Sequence, residues 1–133
     1  MNSHIYASHI KELADELSIE IIPTKGGGRA SRRRRWVKIP AVRGQVSYLI
    51  ALHELGHIAV TPEPPLRLAQ EVAAWQWALD NAIDEPTIAS WRSVLRRLES
   101  YSRRQERWAS MKRPPEFDLF IHRLQTIVHA GRL

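Results

Sequence analysis

His53 and His57 stand four residues apart, with Glu54 directly after the first of them. On a helix that spacing projects both imidazoles from one face, about one turn apart, where two nitrogens can hold one ion. Glu54 is turned one step round from His53. It would lie beside the ion, not on it, where a carboxylate can take a proton from a water attacking a carbonyl. A five-residue match of this kind arises by chance on the order of 0.02 times in a chain of this composition. Gly56, within the same segment, permits neighbouring backbone to come close. The surrounding residues, Tyr48 to Val60, are otherwise mostly apolar, so two imidazoles and a carboxylate buried among them need partners.

Hydrolytic zinc sites use three protein ligands and keep one position open, so a third ligand has to come from elsewhere in the chain. Glu71 is the first candidate. It falls in a second helical segment, after a proline-rich turn able to reverse the chain. Ala74, Trp75 and Ala78 share its face at i+3, i+4 and i+7, and the two alanines would let the helices approach closely. Glu63 and Asp80 compete for the role, Glu63 less well because it sits in the proline-rich turn. Two histidines and a carboxylate also suit non-haem iron, but their spacing on one helix favours Zn2+.

The elements that must carry these residues can be read from periodicity. Tyr6, Ile10, Leu13, Ala14 and Leu17 recur at helical spacing and predict an amphipathic helix over 3–17. Ser18 to Ile22, β-branched and stopped by Pro23, predicts a short strand, and Thr24 to Ala30, with three glycines, a turn. Arg34 to Ile39 predicts a returning strand with Trp36 and Lys38 on one face and Val37 and Ile39 on the other. Together these give a hairpin or small antiparallel sheet. Tyr48 to Val60 predicts a buried helix, ended by Pro62, Pro64 and Pro65. A helix over Leu66 to Asn81 follows. A fourth is expected to start at Asp84-Glu85-Pro86, capped by the aspartate, and to run through Trp91, Leu95 and Leu98 towards Trp108. After Pro114-Pro115 a last helix covers Glu116 to Ala130. In the charged helix Val94, Leu95, Leu98 and Tyr101 form one stripe, which leaves its arginines on the outer face.

His53-Glu54-Leu55-Gly56-His57, followed by Glu71-Val72-Ala73-Ala74-Trp75-Gln76-Trp77-Ala78, resembles the ImmA/IrrE family of zincin-like metallopeptidases. That family pairs a His-Glu-x-x-His helix with a later Glu-x-x-Ala-x-x-aromatic-Ala helix. The resemblance covers roughly 34–80. It implies an α+β zincin-like domain, Zn2+ held by His53, His57 and Glu71, and Glu54 as general base. It further implies a bacterial chain associated with a phage or mobile element, cleaving a protein substrate such as a transcriptional repressor. Many such proteins carry a longer chain or a fused DNA-binding domain, whereas two further helices are expected here after the core. The expectation is one domain over 1–133, with a core of about 1–81 and a helical extension of about 84–133.

Bulk composition narrows the alternatives. The chain has 133 residues, 44% of them hydrophobic, the size of one ordinary domain with a modest core. The apolar stretch from Val46 to Val60 is interrupted by charged and polar residues, so no membrane span is expected. The start of the chain lacks a basic region followed by an apolar block, and cysteine is absent. Both fit a cytoplasmic protein whose metal ligands must be histidine and carboxylate. The net charge is +6, and Arg32 to Arg35 concentrate part of the excess. A solvated loop is the ordinary reading of such a run. Two functional readings stand beside it: an edge strand over Trp36, Val37 and Lys38 that pairs with an extended, acidic peptide, or a nucleic-acid surface on which Trp36 stacks. Two rivals to the peptidase follow: a non-catalytic zincin-fold module that binds a regulatory protein, and a nucleic-acid-binding protein.

Overall fold

The computed structural model describes residues 2–107 and 112–131. In chain order its elements are α1 (Ser3–Leu17), β1 (Glu20–Pro23), β2 (Arg29–Ser31), β3 (Trp36–Ile39), α2 (Gln45–Ala59), α3 (Arg67–Asn81), α4 (Ile88–Arg107) and α5 (Pro115–Ala130). The architecture is α+β: five helices and a small three-stranded mixed sheet. Trp108, towards which the sequence points α4, lies outside the described residues.

α1 begins where Asn2 accepts a hydrogen bond from the Ile5 N–H at 3.1 Å, and it buries Tyr6, Ile10 and Ala14. It ends on Ser18, which takes the left-handed conformation at φ 57° and returns its N–H to the last turn. Ser18 is therefore a helix cap and not the first residue of a strand, and β1 starts two residues later.

The sheet corrects the expected antiparallel pair. Its order is β1-β3-β2. β1 runs parallel to β3, with Glu20 opposite Trp36 and Pro23 opposite Ile39. β2 runs antiparallel to β3, with Ala30 opposite Val37. The connection explains the difference. A tight turn after Pro23 would lay the next strand against β1, whereas the five residues from Thr24 to Gly28 span the width that β3 occupies. That width is two strand spacings, about 9.5 Å. Ala30, expected in the turn, belongs to β2. β3 is thus the central strand and not an edge: Val37 and Ile39 are buried while Trp36 and Lys38 are half-buried, and its hydrogen-bonding sides face β1 and β2.

Arg32 to Arg35 form the turn between β2 and β3, and two of the four are engaged inward. Arg32 Nη1 donates to the carbonyls of His57 (3.0 Å) and Ile58 (3.3 Å) at the end of α2. Its Nη2 donates to Thr61 Oγ1 at 3.2 Å and its Nε pairs with Glu63 at 3.0 Å. Arg35 donates to the carbonyls of Leu17 and Ser18 at the end of α1. Each guanidinium meets the negative end of a helix dipole and the carbonyls that lack a helical partner.

The chain divides into two compact units, Met1–Glu63 with Ala73–Asp84, and Pro64–Val72 with Glu85–Leu133. The division falls inside the single helix α3. In the first unit α2 packs on β2, β3 and α1. Tyr6 and Tyr48 stack at 4.4 Å over a partly buried polar network. Tyr6 donates to Asp84 Oδ2 at 2.6 Å, and Gln45 donates to Asp84 Oδ1 at 3.1 Å. Tyr48 Oη accepts from the Ile83 N–H at 3.0 Å and lies 2.6 Å from His9 Nδ1. Burial pushes the Tyr48 hydroxyl up to about 12. Asp84 is held by this network, so it does not cap the next helix. Thr87 does, accepting from the Ser90 N–H at 3.2 Å, and α4 starts at Ile88.

In the second unit α4 and α5 pack together. Trp91, Val94, Leu95 and Leu98 of α4 and Phe117, Phe120, Leu124 and Val128 of α5 are buried, while Arg92, Arg96, Arg97 and Arg103 are exposed. No helix among the described residues is long and apolar enough to cross a membrane.

Candidate metal centre

α2 is apolar on nearly every side, so its polar residues are carried into the interior with it. His53 and Glu54 are each 6% exposed. The two imidazoles, four residues apart, meet edge to face with ring centroids 4.5 Å apart. Their Nε2 atoms lie 3.1 Å from one another. Two metal–nitrogen bonds of about 2.0–2.1 Å at a tetrahedral angle hold their nitrogens about 3.3 Å apart, so this spacing fits a shared ion.

The place of Glu71 follows from α3. A Cβ on Gly56 would come 2.6 Å from the Ala74 carbonyl oxygen and 3.2 Å from its Cα. The absence of that atom is what lets α2 and α3 cross at this distance. Trp75, one residue on, lies flat against His53 at 4.2 Å and 13°. Glu71 stands one turn before them on the same unbroken helix. Its side chain is fully buried. His53, His57 and Glu71 each offer a ligand atom within 4.8 Å of the others, a group able to hold a metal ion. Two imidazole nitrogens and a carboxylate are the donors a catalytic zinc accepts.

The residues round the group orient it. His53 Nδ1 lies 3.2 Å from Glu54 Oε1. A hydrogen bond from a protonated Nδ1 to that oxygen would leave the Nε2 lone pair, which faces His57, for an ion. The ring is also held by the Trp75 stack. Arg32 fixes the backbone of His57 through its carbonyl. Arg67, one turn before Glu71, brings Nη2 to 3.3 Å from Glu71 Oε1, with its guanidinium more than half exposed.

Glu54 is confined from the sheet side. A Cβ on Gly28, the residue before β2, would fall 2.9 Å from Glu54 Cγ and 3.1 Å from Cδ. The glycine-rich loop therefore ends as one wall of the Glu54 side chain. Nothing in the sequence distinguishes Gly28 from Gly26 or Gly27, because only the path of the loop selects it.

The other sequence candidates fall elsewhere. Glu63 is paired with Arg32. Asp80 is exposed and accepts a hydrogen bond from Gln76 at 2.8 Å. Trp36, Val37 and Lys38 do not form a peptide-binding edge, because β3 is paired on both sides. Val37 is in the core, and the Lys38 ammonium lies 5.2 Å from the centre of the Trp36 ring. The edge beside α2 is β2, from Arg29 to Ser31. Trp75, whose type suggests plain core, is instead the support of His53, and its indole N–H is buried with no acceptor among the described residues. Tyr48 is a core residue committed to His9 and Ile83.

Comparison with protein-family models, curated proteins and solved structures finds no match to this chain.

Proposed function

We propose that this chain is a zincin-like, zinc-dependent peptidase of the kind its two motifs resemble, the ImmA/IrrE family, acting in the cytoplasm on a regulatory, repressor-like protein. One observation carries the reading: a buried group of two imidazoles and a carboxylate, with a second buried carboxylate, Glu54, directly beside it. His53, His57 and Glu71 are the residues that would hold Zn2+. When bound there, zinc supplies a Lewis acid that polarises a scissile carbonyl and makes water a nucleophile near neutral pH.

The remaining steps belong to the protein. Glu54 accepts the proton of the attacking water and returns it to the leaving amine, the general acid–base role its position beside the ligands allows. Its burial limits competing bulk water, and the Gly28 wall restricts where the carboxylate can swing. His53, held between Trp75 and Glu54, keeps one nitrogen directed to the ion. β2, as the sheet edge next to α2, offers main-chain groups to an extended peptide, which pairs with it as an added strand. Arg29 and the exposed Arg33 and Arg34 favour acidic residues in that peptide.

The test is Glu54→Gln, which keeps size and hydrogen bonding but removes the base. Wild-type protein and variant are incubated with a mixed peptide library, and new termini are counted by mass spectrometry. The variant should bind zinc as the wild type does and cleave at least about 100-fold more slowly. Equal cleavage by both would remove the assignment. Zinc retained by a wild type that cleaves nothing would favour a non-catalytic binding module.

A further inference from the structure

A groove of about 590 Å3 opens in the first unit, beside α1 and the ends of β1 and β3. Its size is within the range of small-molecule sites, roughly 300–1,000 Å3. Ile10, Ile21, Ile39 and Val42 supply aliphatic walls, Pro23 and Pro40 close two corners, and Lys25 is the one charged residue in the lining. Among the described residues no carboxylate pairs with Lys25.

Three backbone positions in the lining have no N–H to give a peptide. Pro23 and Pro40 have no N–H, and the Thr24 N–H is already donated to the Ile39 carbonyl at 3.0 Å. The Thr24 hydroxyl accepts from the Gly26 N–H at 3.2 Å. An occupant gains from this groove chiefly by burying apolar surface and by placing one negative charge near Lys25. The geometry points to a binding site for a small amphipathic monocarboxylate, an acyl chain ending in a carboxylate. A peptide would leave its backbone groups unsatisfied against aliphatic walls, whereas an acyl chain carries none.

The site is independent of the metal centre in chemistry but shares a loop with it. The loop that presents Thr24 and Lys25 to the groove continues to Gly28 against Glu54. The inference does not depend on peptidase activity, since nothing in the groove is a metal ligand or a base.

Decanoate is the probe, titrated into 15N-labelled full-length protein below its micelle concentration, with decanol as the uncharged counterpart. Saturable shifts should be confined to amides of Ala7, Ile10, Ile21, Thr24, Lys25, Ile39, Ala41 and Val42. Lys25→Glu should weaken decanoate about tenfold, and decanol should bind about tenfold more weakly than decanoate to the wild type. Ala41→Trp, at an exposed lining position, should fill the groove and abolish the shifts. Absence of saturation, shifts scattered over the surface, equal affinity for decanol, or undiminished binding by Lys25→Glu would each overturn the proposal.

Discussion

At the scale of single residues, chemistry at the centre depends on atoms that are missing as much as on those present. The spacing of His53, Glu54 and His57 makes the candidate ligands and the proposed base legible, because helical geometry alone brings positions i and i+4 together. Glu71 is legible only as the best of three carboxylates; it offers a ligand atom within 4.8 Å of those of the histidines, while Glu63 and Asp80 are engaged elsewhere. Gly28 cannot be read from the sequence, since its role depends on a loop path that local composition does not encode. In Gly28→Ala the new methyl would displace the Glu54 side chain, which is flexible enough to move. The expected outcome is unchanged zinc content with kcat reduced on the order of tenfold, because a base displaced by about 1 Å loses alignment. Steady-state kinetics on a cleavable peptide, with metal analysis alongside, checks it. Unaltered kcat would show that the glycine is there for the loop alone.

Elements are legible in proportion to their length. The helices expected over 3–17, 66–81 and 116–130 are present within one residue at each end, because each carries several turns of periodic apolar residues. Boundaries fail where a side chain has two possible partners. Asp84 has the chemistry of a cap, but Tyr6 and Gln45 hold it and the start of α4 moves to Thr87. The sheet fails for another reason. Arg29-Ala30-Ser31 is short and carries no β-branched residue, so nothing marks it as a strand, and without it the pairing of β1 with β3 reads as antiparallel. The helix crossing yields its own prediction. Gly56→Ala places a methyl against backbone, not a movable side chain, so α2 and α3 must separate. Stability should fall by about 1–3 kcal/mol in urea titration, with weaker zinc binding as Glu71 withdraws. A variant as stable as the wild type would mean that the helices absorb the methyl by a small slide.

For the whole molecule, net charge says less than its placement. Four successive arginines suggest a polyanion site, but Arg32 and Arg35 are committed to the ends of α2 and α1. That leaves Arg33 and Arg34 from the run, with Arg92, Arg96, Arg97 and Arg103 spread along α4. Arg32, which in the sequence looks like part of a binding surface, is instead a support for the backbone of His57, a candidate metal ligand. The apolar character of α2, which in a longer and purer form would mark a membrane span, here serves to carry His53 and Glu54 into the core, with His57 half-buried beside them. Zinc binding by His53, His57 and Glu71 is the property on which the proposed chemistry rests. It is tested most directly by metal analysis of untagged protein purified without chelator, beside Glu71→Ala. About one zinc per wild-type chain and a sharply reduced content in the variant are expected. A wild type that holds no zinc and takes up none when it is supplied would contradict it.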